Sequence, residues 1–135
     1  MALMTWNDSF SVGVRVLDDQ HKRLVNTLND LHAAMIAGRE RAVSGPLLRT
    51  LVEYTHEHFA AEEELMMRTK YPRLAAHRVK HKDLTQKVMQ FVQRYERGEL
   101  ALNVELLMFL RDWLTTHIQK EDRDYGPRMN QNGIR

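Results

Sequence analysis

Apolar residues recur at the spacing of one helix face in four successive stretches, and strand-like alternation is weak throughout. The first stripe is Leu17, Leu24, Val25, Leu28, Leu31 and Met35. Asp18 is a good N-cap for it and Gly38 a natural stop, so a helix is predicted over about 18–37. The second stripe is Leu47, Leu51, Tyr54 and Leu65, on a helix from near Ser44 to about Thr69 with Pro46 in its first turn. The third is Leu74, Leu84, Val88, Phe91, Val92 and Tyr95, on a helix that starts at Pro72 and ends before Gly98. The fourth turns Leu106, Leu107, Leu110, Trp113 and Leu114 inward on a helix from about Leu102 to about Arg123. Gly126-Pro127 is expected to stop it, leaving residues 129–135 as a frayed tail. Residues 1–17 carry no helical period, and Asn7, Asp8, Ser9 and Gly13 favour an extended arm. The expected fold is all-α: an up-down-up-down antiparallel four-helix bundle over 18–123, with an arm over 1–17 and a tail over 124–135.

Composition narrows the chemistry. The 135 residues fit a single domain able to bury its own core. There is no cysteine, which removes disulfide scaffolds, thiolate zinc sites, iron–sulfur clusters and cysteine nucleophiles. Lys+Arg number 20 and Asp+Glu 18, and a net charge of +2 is too small to imply nucleic acid or a charged membrane surface as partner. An apolar run such as Leu106 to Leu110 is far short of the roughly 20 residues that cross a bilayer. The N-terminal stretch has no basic region followed by an apolar one, so the cytoplasm is the expected location. A monomer is expected. The count that stands out is seven histidines.

Five of those histidines lie on the apolar stripes. At about 100° per residue, His21 lies about 40° from Leu17 and from Val25, and His58 about 40° from Tyr54 and from Glu62. His77 and His81 are about 40° apart, and His117 is about 20° from Leu110. In an antiparallel bundle all of them, with Glu62, fall within roughly 15 Å of one end. A buried carboxylate without a partner is costly, and a metal would resolve that cost. Imidazole and carboxylate without thiolate suit iron, and a group this large suggests two ions with bridging carboxylates. His32 also falls near the first stripe, three turns from His21 and with no matching carboxylate, so it reads as structural. His56 should face outward, and Glu63 and Glu64 read as a solvated face. Arg78, Lys80, Lys82 and Lys87 read as exposed, and Met66, Met67, Met89 and Met108 as packing. On an ideal helix Glu121, four residues after His117, is better placed than Asp122 to join the cluster.

The ordered set Asp18-Asp19-Gln20-His21, His58-Phe59-Ala60-Ala61-Glu62, His77-Arg78-Val79-Lys80-His81 and His117-Ile118-Gln119-Lys120-Glu121-Asp122 followed by Tyr125 resembles the hemerythrin family, in its free-standing bacterial form. Trp6 resembles the tryptophan of that family's N-terminal arm. The resemblance implies two non-haem iron ions with an oxo or hydroxo bridge. His77, His81 and His117 would hold one iron, His21 and His58 the other, and Glu62 and Asp122 would bridge them. The choice of Asp122 requires the last helix to loosen or bulge near its end. Leu114 resembles a leucine that lines the family's O2 pocket, and Trp113 is assigned to the same pocket.

The function implied is reversible O2 binding for transport, storage or delivery to an O2-consuming enzyme, with no catalysis. O2 uptake that leaves the net charge of the irons, carboxylates and bridge unchanged suits a low-dielectric core. The alternatives are a di-iron oxidase, peroxidase or nitric-oxide-handling enzyme, and an oxygen or redox sensor acting through a partner. Ferritin-like di-iron enzymes use two Glu-x-x-His motifs, whereas this chain has one, Glu53 to His56, with His56 directed outward.

Overall fold

A computed structural model describes residues 3–38, 41–99 and 104–135, without side-chain detail for 41–44 and 104–105. Four long helices carry the chain: α1 (Arg15–Ile36), α2 (Arg41–Arg68), α3 (Leu74–Glu96) and α4 (Val104–Thr116). The expected start of the last helix at Leu102 lies outside the described residues. Among the described residues there is no strand. α1 packs against α2 and α4, and α2 also packs against α3. His21 early in α1, His58 late in α2, His77 early in α3 and His117 just after α4 all meet, which makes successive helices antiparallel.

The stripes build the core. Leu17, Leu24, Leu28 and Leu31 of α1 are buried, as are Leu51 of α2, Val88 and Val92 of α3, and Leu107, Leu110 and Leu114 of α4. Gly38 and Gly98 follow α1 and α3 with φ of 65° and 76°, the left-handed geometry that ends a helix with least cost at glycine.

Several boundaries differ from expectation. α2 starts at Arg41 rather than near Ser44, so Pro46 lies inside the helix and not in its first turn. Asp18 is not the cap of α1, which starts three residues earlier, after Val14. Its carboxylate accepts instead from Ser11 Oγ at 2.7 Å and from the Val12 amide at 2.8 Å, fastening the arm to the first turn. α3 starts at Leu74 rather than Pro72. Gly126-Pro127 does not end the helical structure: Pro127 sits in the first turn of a short helix, α5 (Gly126–Gln131), where its missing N–H costs nothing. Residues 129–135 are not a frayed tail, because Met129 is fully buried and Asn130 donates to the carbonyls of Gly13 and Ile134.

The end of α4 also changes pitch. His117–Asp122 form a π-helical turn, followed by a 3-10 turn over Arg123–Tyr125. Five-residue spacing stacks side chains on one face of a π-helix, whereas an α-helix would splay them by about 140°.

The arm lies along this end of the bundle. It contains a 3-10 turn, Asp8–Phe10, and buries Met4, Phe10, Val12 and Val14. Asn29 accepts from the Met4 amide and donates to its carbonyl, both at 2.9 Å. Trp6 stacks on Phe10 with ring centres 5.5 Å apart, and Lys22 sits over the Trp6 ring. A Cβ at Gly126 would stand 2.1 Å from the Val12 carbonyl oxygen, so only glycine lets arm and C-terminal turn approach this closely. Gly126→Ala should therefore lower stability by about 1–3 kcal/mol in urea unfolding, while retaining the helical circular dichroism of a folded bundle. An unchanged unfolding midpoint would show that arm and turn can part without loss.

Candidate metal centre

The helices deliver seven polar side chains to one dry point. His21, His58, Glu62, His77, His81, His117 and Asp122 are all at most 4% exposed. They form two overlapping groups: Glu62, His77, His81, His117 and Asp122, and His21, His58, Glu62 and Asp122. In each group the candidate ligand atoms lie within 4.8 Å of one another. Both groups share the two carboxylates.

Asp122 divides its oxygens between them. Its Oδ2 lies 2.9 Å from His21 Nε2, while its Oδ1 lies 3.0 Å from His77 Nε2 and 3.1 Å from His117 Nε2. The π-helical turn makes this reach possible by bringing Asp122 to the face that His117 occupies. Glu121 stays at the rim, half-buried and paired with Lys80 across to α3. Glu62 approaches His58 Nε2 at 2.6 Å through Oε1 and His77 Nε2 at 3.8 Å through Oε2.

The protons expose what is missing. Gln20 Oε1 accepts from His58 Nδ1 at 2.6 Å, and Glu63 Oε2 accepts from His81 Nδ1 at 3.1 Å. With Nδ1 donating, each of these imidazoles turns a lone pair on Nε2 toward the centre. His58 Nε2 and Glu62 Oε1 approach to 2.6 Å without the geometry of a hydrogen bond. Both Glu62 oxygens lack a hydrogen-bond partner. His81 Nε2 and His117 Nε2 are 3.2 Å apart. Acceptors that converge in a fully buried cluster fit a cation between them. The donor set of five imidazoles and two carboxylates, with no thiolate, suits first-row transition ions.

Electrostatics agree. Burial holds the His21, His77, His81 and His117 imidazoles below their ordinary range, His77 at about 4 and His117 at about 3. Burial, then the neighbouring Glu62 charge, pushes the Asp122 carboxyl well above its ordinary value. Burial pulls Glu62 up as well, but the facing imidazoles, His58 first, outweigh it and hold Glu62 well below. The two carboxyls therefore separate, and without a cation the pair keeps a proton on Asp122.

The Hemerythrin HHE cation binding domain model matches residues 12–129, which is most of the chain. The chain belongs to the hemerythrin family. It is similar to a bacteriohemerythrin of Stenotrophomonas maltophilia, 39% identical over 93% of this chain and 80% of that protein. A bacteriohemerythrin of Methylococcus capsulatus is 38% identical over 94% of this chain and 97% of its own. The myohemerythrin of Sipunculus nudus is 31% identical over 89% and 88%. Among solved structures, wild-type hemerythrin superposes with a TM-score of 0.90 at 36% identity, covering 95% of this chain and 98% of that one. Hemerythrin variants with a leucine replaced by tyrosine or alanine superpose with a TM-score of 0.91.

Within this hemerythrin fold the remaining residues fall as follows. Trp113 and Leu114 are buried at the end of α4, with Trp113 stacked on His117 at 6.3 Å between ring centres. His32 is half-buried and belongs to neither group, and His56 is exposed. Met66 is fully buried, but Met67 is 56% exposed and does not pack as expected. Glu63 departs from the solvated face assigned to it: it is half-buried and bonds both His81 and Arg78. Its adjacency to Glu62 was the available signal, since a histidine held at Nε2 commonly gives Nδ1–H to a carboxylate. Tyr125, fully buried under His77, was visible only through the family pattern.

These shifts carry a pH dependence. In the unfolded chain each imidazole takes up a proton as pH falls through about 6.5. In the folded, metal-free chain His77 resists until about 4 and His117 until about 3. The raised Asp122 carboxyl keeps a proton that the unfolded chain lacks and offsets one histidine, but His21, His77, His81 and His117 are all lowered and outnumber it, so stability falls as pH falls across that window. Below about pH 6, metal-free protein should lose roughly 1.4 kcal/mol per pH unit for each such histidine beyond the one that Asp122 offsets. Urea midpoints that stay level from neutral pH down to about 4.5 would contradict this.

Proposed function

We propose that this chain binds O2 reversibly at a pair of non-haem iron ions, without catalysis, for transport, storage or delivery to an O2-consuming enzyme. The observation that carries the reading is the division of Asp122, one oxygen toward His21 and the other toward His77 and His117. A carboxylate that serves two groups of imidazoles with different oxygens is the arrangement a bridged pair of ions requires. His77, His81 and His117 would hold one iron and His21 and His58 the other, with Glu62 and Asp122 shared. Two histidines on one side against three on the other leave that side short of a protein ligand, which is where O2 would be accepted. When bound, the iron pair supplies the electrons by which O2 is held and returned.

The chain's own residues account for the rest. Five neutral imidazoles against two carboxylates favour the ferrous state, which supports a carrier over an oxidase built on four carboxylates. Leu114 and Trp113 form an apolar wall next to His117, and Leu114 is 2% exposed. Such a wall excludes water and starves the site of protons that would drive reduced oxygen off and leave the irons ferric. No described helix is long and apolar enough to cross a membrane.

Anaerobic loading with ferrous iron should give two irons per chain, and admission of air should produce a charge-transfer band that disappears under vacuum. A single zinc, or a band that bleaches irreversibly, would reject the reading. His21→Ala and His77→Ala should lose the band, and His32→Ala and His56→Ala should keep it.

Leu114→Ala removes no ligand and should still load two irons. It should cost about 2–4 kcal/mol of stability through the cavity it leaves. The oxygenated variant should also lose its band faster than wild type at a temperature where both are folded. Equal decay would reduce Leu114 to a packing residue.

A further inference from the structure

We propose that Glu121 is a docking carboxylate that receives a divalent cation at the protein surface and passes it to the buried cluster. The inference rests on the reading that the cluster holds metal, and it concerns how the metal arrives. All seven cluster residues are at most 4% exposed, so a hydrated cation cannot reach them directly. Among the described residues, three surface hollows have a cluster histidine in their lining.

Two of these lie between α3 and the end of α4. The larger, about 460 Å³, has His117 in its wall over an apolar lining of Leu84, Phe109 and Trp113. The smaller, about 50 Å³, has His77 in its wall. Lys80 and Glu121 line both. The third hollow, about 710 Å³, lies on the other side of α3 and has His81 in its wall.

Charge separates the routes. The larger α3–α4 hollow is lined by the carboxylates of Asp83, Asp112 and Glu121 against Lys80 and Lys87, and with Arg111 paired to Asp112 the set is close to neutral. The hollow beside His81 is lined by Glu63 against Arg78 and Lys82, a net positive set. A cation is repelled less by the first. The two half-buried carboxylates also differ in freedom. Glu63 is engaged at both oxygens, by Arg78 Nε and His81 Nδ1. Glu121 is tied to the half-exposed ammonium of Lys80, a surface pair that water and salt loosen easily.

A second observation concerns the histidine behind Glu121, whose Nε2 faces Asp122 and His81 in the cluster. His117 is 3% exposed, stands in the wall of the larger hollow, and its Nδ1 has no hydrogen-bond partner. The π-helical turn sets the order of the handover. It places Asp122 inside and its neighbour Glu121 at the rim, one residue from a carboxylate of the cluster. The step is a ligand exchange with no change of oxidation state. Glu121 releases the Lys80 ammonium, takes the cation, gives it up to the histidines behind, and pairs with Lys80 again.

The test mixes metal-free chain anaerobically with ferrous iron and follows tryptophan fluorescence, since Trp113 stacks on His117. Iron per chain is counted at the end. Glu121→Gln should slow uptake about tenfold while reaching the wild-type final content. Lys80→Met, which frees Glu121, should take up iron at least as fast as wild type. Asp112→Asn, which removes one negative charge from the same hollow, should change the rate by no more than about twofold. Wild-type uptake in Glu121→Gln would overturn the proposal. So would equal slowing in Glu121→Gln and Lys80→Met, the mark of an ion pair that only braces the fold. Slowing in Asp112→Asn as large as in Glu121→Gln would reduce the effect to general attraction, and slowing confined to Glu63→Gln would move the route to the far side of α3. Failure of the wild type itself to reach two irons would instead reject the metal reading on which the proposal stands.

Discussion

Two carboxylates, Glu62 and Asp122, are held fully out of water in the middle of a helical bundle, and the rest of the molecule answers to that cost. An isolated ionised carboxylate in such a place is untenable, and two side by side are worse. The bundle surrounds them with five imidazoles, one or two from each of four elements, and burial holds those of His21, His77, His81 and His117 below their ordinary range. Imidazoles relieve part of the cost by hydrogen bonding, but those held neutral by burial supply no positive charge to the two carboxylates. The deficit is visible in the acceptors without partners, and it is a deficit of cationic charge rather than of packing.

Holding the carboxylates in place dictates irregularities that a bundle would otherwise avoid. An unbroken α4 would turn Asp122 away from His117 and offer Glu121 in its place. The π-helical turn at His117–Asp122 reverses that choice, placing the shorter acid inside and the longer one at the rim beside Lys80. Having left α-helical pitch, the chain must still cover the open end. A 3-10 turn and α5 do so, with Tyr125 and Met129 fully buried and Arg128 donating to the carbonyl of Thr69 at 2.7 Å. The arm closes the opposite side and meets this cap where Gly126 has no side chain.

The long helices were legible because each carries a wide apolar stripe, and period alone is enough to find such a stripe. The cluster was legible for a different reason: polar residues on an apolar stripe violate the pattern, and five violations at one height are hard to attribute to chance. What could not be read lay where one residue answers to two demands. Asp18 has the type of an N-cap, yet it serves the arm, because the arm's own apolar residues extend the helix to Arg15. Gly126-Pro127 has the type of a helix stop, yet it starts a turn, because Gly126 is there for close approach and not for left-handed backbone. Glu63 has the type of a solvated acid, yet it bonds His81 of the neighbouring α3, a contact between helices that no single-helix projection contains.

Glu63 also shows that the two halves of the cluster are built unequally. On the side of His58, the Nδ1 proton goes to the neutral amide oxygen of Gln20. On the side of His81, it goes to a carboxylate, itself anchored by Arg78. An anionic acceptor draws the Nδ1 proton further from the ring and makes Nε2 the stronger donor to a cation, while a neutral amide fixes the ring without enriching it. The group with three histidines therefore has both more nitrogen ligands and the more electron-rich one, and the group with two has fewer and leaner ones. A single chain with no internal repeat thus presents two unlike groups of donors. The difference arises less from the ligands, which are imidazoles on both sides, than from what stands behind them.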